Sequence, residues 1–333
     1  MQSRLLRWFR QKLPIKAISA WICLVLVVSL LGVRRPRFLS PDGSELLHLP
    51  NLGEGTKLID AVAFISVGDM ARDPLLDYAV ATVRKVGGWK GDIYVLTDKP
   101  DCLKRVASEY GVKIVTIPKK GSLMQIKALK PQLLSLIPAT VDSVMYLDVD
   151  IAVTRSLGYF MRMVGRDLLS ASVVGDGVHN ISSASAVARH SKLSNFDFAA
   201  FGDAKGHYVG FCAGCEKWHT GVMILRRGKG TKCLDTWGEL LASGRFHTDQ
   251  ESLDRAERMG VCKGAHMLPS QYLLFAKDYL GALFTTGHTF VHVTSAGRMA
   301  TQDAFYRGWV VPRFRAALSD RVDPKLLDSP KQC

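Results

Sequence analysis

The stretch Ser143–Val153, SVMYLDVDIAV, sets a run of apolar and aromatic residues in front of two acids one residue apart and follows them with Ile-Ala-Val. Its β-branched content reads as one buried strand carrying Asp148-Val149-Asp150. In an extended backbone, residues i and i+2 share a face. Asp148 and Asp150 are then able to share one cation, while Val149 turns back into the protein. Open α/β sheets place ligands beyond the carboxyl ends of their strands. Two hard carboxylates there favour Mg²⁺ or Mn²⁺ and leave coordination positions for phosphate oxygens. An isolated Asp-x-Asp is more often a solvated strand end. The apolar run before this one, at an expected switch point of the sheet, favours the functional reading.

Upstream, AVAFISV (61–67), DIYVLTD (92–98) and KIVTIP (113–118) read as strands, separated by helices over 76–83, 103–110 and 124–136. Val- and Ile-rich strands alternating with helices indicate βαβ units and a parallel sheet covered on both faces. Gly87-Gly88 follows a helix instead of opening one, which disfavours a dinucleotide fingerprint. Downstream, residues 175–218 are rich in Gly, Ser and Ala and read as a binding loop or lid. Order returns with the strand GVMILRR (221–227), helices over 233–241 and 250–258, and the strand FVHV (290–293). The expected architecture is a single α/β domain over 58–318 with a mostly parallel central sheet, followed by a tail at 319–333.

The chain of 333 residues carries 44 Lys+Arg against 30 Asp+Glu, a net charge of +14. With 22% charged and 9% aromatic residues, a disordered or fibrous chain is excluded. The basic excess is concentrated at the start. Residues 1–37 hold eight Lys and Arg and no acid, so the remainder is only modestly basic and offers no nucleic-acid reading motif. Between Lys16 and Arg34 lies AISAWICLVLVVSLLGV (17–33), without a charge. As a helix it reaches about 25 Å, the short end of a membrane span. Arg34, Arg35 and Pro36 make a poor cleavage site, which favours a retained signal anchor over a removed leader. The flanking charges place residues 1–16 in the cytoplasm and the bulk in the lumen, behind a stem at 34–57. A short span suits an early secretory membrane, Golgi or endoplasmic reticulum.

Six of the seven cysteines lie outside that span and could form up to three bridges whose pairing spacing does not reveal. Cys212-Ala-Gly-Cys215 has no partner pair for a zinc site and reads as a structural disulfide or buried thiols. Asn180-Ile-Ser182 is a glycosylation sequon, usable in a lumen.

With these pieces in order, the chain resembles the GT-A-type nucleotide-diphospho-sugar glycosyltransferases, in particular the retaining group of glycogenin and the lipopolysaccharide galactosyltransferases. The resemblance runs over roughly residues 60–310. It is carried by AFISVGD (63–69), by KALKPQLLSLIPATVDSVMYLDVDIAV (127–153), by His219-Thr220-Gly221-Val222-Met223, by Asp249-Gln250 and by Val291-His292-Val293. It implies a single Rossmann-like domain and a Mn²⁺ or Mg²⁺ ion held by Asp148, Asp150 and His292, with His288 an alternative nearby. It further implies that Phe64 and Ser66 belong to the nucleotide-contacting opening strand, and that Lys127, Asp148, His219 and Gly221 bind the nucleotide-sugar. Asp249 and Gln250 then line the reacting face of the sugar as the catalytic pair.

His219 stands where the family usually has Asn, and the family's terminal Gly-x-x-Lys-Pro-Trp is missing. Arg298 is the basic residue that stands in for it. Lys130, next to Lys127 on the same helix, reads as part of a solvated face. The resemblance implies a nucleotide-sugar donor, with UDP-sugars favoured, and a glycan, protein or lipid acceptor. In such retaining enzymes the leaving phosphate deprotonates the acceptor on the same face, and no protein nucleophile is evident here. The competing reading is a catalytically silent nucleotide-sugar or glycan binding protein on the same fold.

Overall fold

Ala61–Ile65, five residues without a polar side chain, form β1, and all five are buried. Their alternation feeds two cores. Val62 and Phe64 pack on one face of the sheet with Leu76, Val80 and Val83, and Ala61, Ala63 and Ile65 on the other with Leu129, Leu133 and Trp237. Burial on both sides is what a parallel sheet clad by helices demands. The computed structural model describes residues 58–171, 198–202, 217–275, 288–292, 321–323, 326 and 333.

β1 pairs in parallel with β2 (Asp92–Thr97) on one side and β4 (Ser143–Leu147) on the other, and β2 pairs in parallel with β3 (Val112–Thr116). The chain steps outward from β1 to β3 and then returns across β1 to β4, which opens a crevice at the carboxyl ends of β1 and β4. Beyond β4 lie β7 (Trp218–Arg226), β6 (Phe198–Gly202) and β8 (Ala265–Leu268), giving the order β3-β2-β1-β4-β7-β6-β8. β7 alone runs against the other strands of this sheet. A smaller sheet, β5-β10-β9, joins β5 (Ile151–Val153), β10 (Phe290–His292) and β9 (Leu273–Phe275).

Among the helices, α1 (Pro74–Lys85) begins where Asp73 Oδ1 accepts from Leu75 N at 2.9 Å, with Pro74 in the first turn. α2 (Lys104–Tyr110) ends on Gly111 at φ 62°, a left-handed cap that glycine enters without strain. Next come α3 (Leu123–Lys127), α4 (Leu129–Leu136), α5 (Leu157–Ala171), α6 (Thr231–Ala242) and α7 (Asp249–Arg258).

The mostly parallel sheet and its two covered faces agree with the sequence reading. Several elements differ. The strand expected over 143–153 is two strands in two sheets, interrupted by a turn at 148–150 that Ile151 N closes onto Asp148 O at 3.0 Å. The helix expected over 124–136 is two helices. Pro131 has no N–H to give to Lys127 O, and its ring would crowd that carbonyl, so an unbroken helix is disfavoured. The loop expected over 175–218 contains β6, a central strand, and the start of β7; its other residues lie outside the described ones. β8 and β9 are strands that the sequence pattern does not mark.

Cys102 is bonded to Cys333, and Cys233 to Cys262, which ties α6 to the segment after α7. No helix among the described residues is long and apolar enough to cross a membrane. The expected span 17–33, its flanking tail and stem, Asn180, Cys212, Cys215 and Arg298 all lie outside the described residues.

Candidate active site

A cleft of about 880 Å³ opens at the carboxyl ends of β1 and β4. Asp148 enters it directly from β4, its backbone N still laddered to Gly221 O of β7 at 2.8 Å. The chain then turns, so Asp150 reaches the cleft through that turn and not through the pleat of a strand. Val149 is half-buried; it packs against the core and also borders the cleft. Register supplies the partner for Asp150. β10 pairs with β5 so that His292 faces Ile151, and His292 Nε2 lies 3.0 Å from Asp150 Oδ2.

The opposite wall is built around an ammonium group. Lys130, in the first turn of α4, is only 6% exposed. Its Nζ donates to Asp249 Oδ2 at 2.6 Å and stands 3.1 Å from Asp148 Oδ1. Lys127 Nζ holds the other oxygen of Asp249 at 2.9 Å, and Thr220 Oγ1 donates to Asp249 Oδ2 at 2.7 Å. Asp249 opens α7, where Thr248 caps the helix by accepting from Glu251 N at 3.0 Å. Trp237 Nε1 donates to Asp249 O and Ser252 Oγ, both at 3.0 Å, which locks the start of that helix against α6. Gln250 follows and borders the cleft.

Proton affinities follow from this packing. Burial pushes the Asp249 carboxyl up, but Lys130, Lys127 and the hydrogen bonds from Lys130 and Thr220 outweigh it and hold the group well below the usual carboxylate range. Lys130 is disfavoured as a cation by burial, yet Asp148 and Asp249 more than restore it and raise its pKa. Asp148 keeps a raised pKa: burial, with Asp150 and Asp249 adding to it, exceeds the opposing pull of Lys130. Burial and the same carboxylate raise Tyr146, whose hydroxyl donates to Asp148 Oδ1.

Glycine at 221 is a spatial requirement. A Cβ there would stand 2.6 Å from His219 Cε1 and 2.9 Å from Asp148 Oδ2. His219, buried on β7, reaches across this space to His292, with Nε2 3.2 Å from Nδ1.

The structure therefore brings Lys127, Asp148, Asp150, His219, Gly221, Asp249, Gln250 and His292 to one cleft. Phe64 and Ser66 are fully buried and do not border it; their neighbours Ile65 and Val67 do. Of the two candidate histidines, His292 borders the cleft and His288 does not. Lys130, expected on a solvated face, is the buried centre of the charge cluster. Asp69 and Gly68 also border the cleft, and Gly68 N donates to Asp98 Oδ1 at 2.8 Å. Among the described residues, no three His, Cys, Asp or Glu side chains are arranged as a ready metal site. Asp148 is turned onto Tyr146 and Lys130, and Asp150 onto His292.

No family model matches the chain, and no curated protein matches it. Among solved structures, it is similar to the apo-form glycosyltransferase GlyE of Streptococcus pneumoniae TIGR4, at 17% identity and a TM-score of 0.44 over 70% of this chain. The chain spans 53% of the length of that protein. It is also similar to the galactosyltransferase LgtC in complex with donor and acceptor sugar analogues, at 15% identity and a TM-score of 0.48, covering 78% of this chain and 95% of that one. Mouse xyloside xylosyltransferase 1, apo form, is similar at 11% identity and a TM-score of 0.42, covering 70% of this chain and 96% of that one.

Proposed function

We propose that the chain is a metal-dependent glycosyltransferase that moves a sugar from a nucleotide-sugar, a UDP-sugar being favoured, to a glycan, protein or lipid acceptor with retention. Residues 17–33 anchor it in a Golgi or endoplasmic reticulum membrane with residues 58–318 on the lumenal side. One observation carries the reading. Two acids, a histidine, two lysines and an Asp-Gln pair, drawn from four separate parts of the chain, converge on one cleft at the switch point of a mostly parallel sheet. About 880 Å³ falls within the range of small-molecule sites.

The donor set suits a divalent ion. Two carboxylates and an imidazole are hard to borderline ligands, and Gly221 leaves open the flank of Asp148 that a Cβ would fill. Asp148, Asp150 and His292 would hold the ion, which supplies charge neutralisation at a donor diphosphate when bound. The protein's own groups do the remainder. Lys127 and Lys130 place positive charge on the wall facing Asp148, where preorganised cations favour a developing phosphate anion. Asp249, bound by two ammonium groups and a hydroxyl, is too well satisfied to act as a nucleophile; it orients the lysines. Gln250, in the first turn of α7, borders the cleft, where its amide would shield a developing oxocarbenium ion.

The test is hydrolysis or transfer by the full-length chain against a panel of UDP- and GDP-sugars with Mn²⁺, followed by anomeric analysis of the product. Asp148→Asn and Asp150→Asn are expected to lower turnover by at least about a hundredfold. Full activity in either variant, or in excess chelator, removes the metal assignment; an inverted product removes retention. A second reading has its own support: Lys130 already neutralises Asp148. On that reading the cleft binds a nucleotide-sugar without turnover, and calorimetry shows donor binding with no product from any donor.

A further inference from the structure

His219 and His292 come from different sheets. His219 lies on β7 opposite Phe201 of β6, and His292 on β10 opposite Ile151 of β5. Their rings meet edge to face, with centroids 4.9 Å apart and an interplanar angle of 61°. The closest approach is nitrogen to nitrogen, His219 Nε2 to His292 Nδ1 at 3.2 Å. On the far side of the same ring, His292 Nε2 points at Asp150 Oδ2 from 3.0 Å. His219 is 2% exposed, and it fits only because position 221 carries no Cβ.

An imidazole can offer a lone pair from one nitrogen only when the other carries the hydrogen, and the partner of the second nitrogen decides which tautomer persists. We infer that His219 is a positioning residue: its Nε2 accepts from His292 Nδ1–H and so holds His292 Nε2, on the Asp150 side of the ring, as the lone pair that would serve a divalent cation. This role rests on the metal-dependent reading of the cleft. It assigns His219 to the metal side of the site and not to the polar contact with donor that the resemblance implies for this position.

The geometry also sets the substitutions. A Gln at 219 carries its amide oxygen about as far from the backbone as Nε2 and can still accept from His292. An Asn ends near the position of Nδ1 and falls short, and a Leu fills the space with no acceptor. The experiment is Mn²⁺ titration of the full-length chain, followed by the electron paramagnetic resonance signal of free Mn²⁺. It is run without nucleotide and with UDP or GDP, and thermal denaturation in chelator confirms that each variant is folded. His219→Leu is expected to weaken Mn²⁺ binding roughly 10- to 100-fold, the usual loss when a ligand's outer partner is removed. His219→Asn should weaken it similarly, and His219→Gln should stay within about threefold of the parent. If His219→Leu does not fold, His219→Asn answers the same question. Parental Mn²⁺ affinity in folded His219→Leu or His219→Asn overturns the inference and leaves the metal assignment standing. Absence of Mn²⁺ binding by the parent chain under all three conditions overturns both.

Discussion

A lysine buried between two carboxylates sets the charge balance of the cleft. Lys130 meets Asp249 at 2.6 Å and Asp148 at 3.1 Å, and removing its ammonium group leaves those acids without their shared counter-charge. Lys130→Met is therefore expected to destabilise the protein by about 3 to 5 kcal/mol, read as a lower denaturant midpoint. A cost under about 1 kcal/mol would mean that Lys127 alone compensates Asp249. The same cluster sets an acid limit. Asp249 is held below its usual range in the folded chain, so it contributes stability above the unfolded-state value of about 3.9, and this contribution drains away as pH falls below it. Thermal unfolding between about pH 5 and pH 2 should show a steeper loss in the parent than in Asp249→Asn. Parallel curves would refute the pairing. Nothing local in the sequence marks Lys130 for this role. A lysine three residues after another on a helix reads as a wet surface, and the carboxylate that buries it lies 119 residues away.

At the scale of elements, α7 delivers the Asp-Gln pair, and its first turn depends on Thr248. Thr248→Ala should cost about 1 kcal/mol by urea titration with an unchanged slope, and should lower donor turnover more than stability alone explains. Unaltered turnover at equal folded fraction would separate the cap from the site. Elements such as β1, β2, β3 and α1 were readable because β-branched runs and helical spacing agree with what their neighbours require. The turn at 148–150 was not. Asp-Val-Asp contains no Gly or Pro, and what turns the chain is the departure of β5 into a second sheet, a tertiary event. The two acids still reach one cleft, by a route the period-2 argument did not describe. β6, with the sequence Phe-Ala-Ala-Phe-Gly, is short, has no β-branched residue and sets two alanines and a glycine between and after its two aromatics, so its strand character comes largely from pairing with β7 and β8. His219 was legible as a site residue only through its place in an ordered set of motifs. Its contact with His292 depends on two sheets meeting.

At the level of the whole molecule, two cross-links among the described residues hold distant parts of the chain. Cys102–Cys333 spans 231 residues and Cys233–Cys262 spans 29. Such bonds stabilise largely by restricting the unfolded chain, more for longer loops. Cys102→Ser is expected to lower stability by about 2 to 5 kcal/mol, and a reductant should lower the thermal midpoint of the parent more than that of the variant. Equal responses to reductant would show that the longer link carries little. Bonded cysteines fit the oxidising lumen proposed from the basic amino-terminal segment, although their pairing could not be read from spacing alone.

The longer link has a practical corollary for anyone handling the purified material. A protease cut at any single peptide bond from 103 to 332 leaves the two fragments covalently attached through sulfur, so a gel run without thiol reports an intact band. A cut in the stretch 34–57, by contrast, frees the whole sulfur-closed ring from its leading segment at once. Comparing thiol-treated and untreated digests therefore sorts nicks by region before any peptide is sequenced.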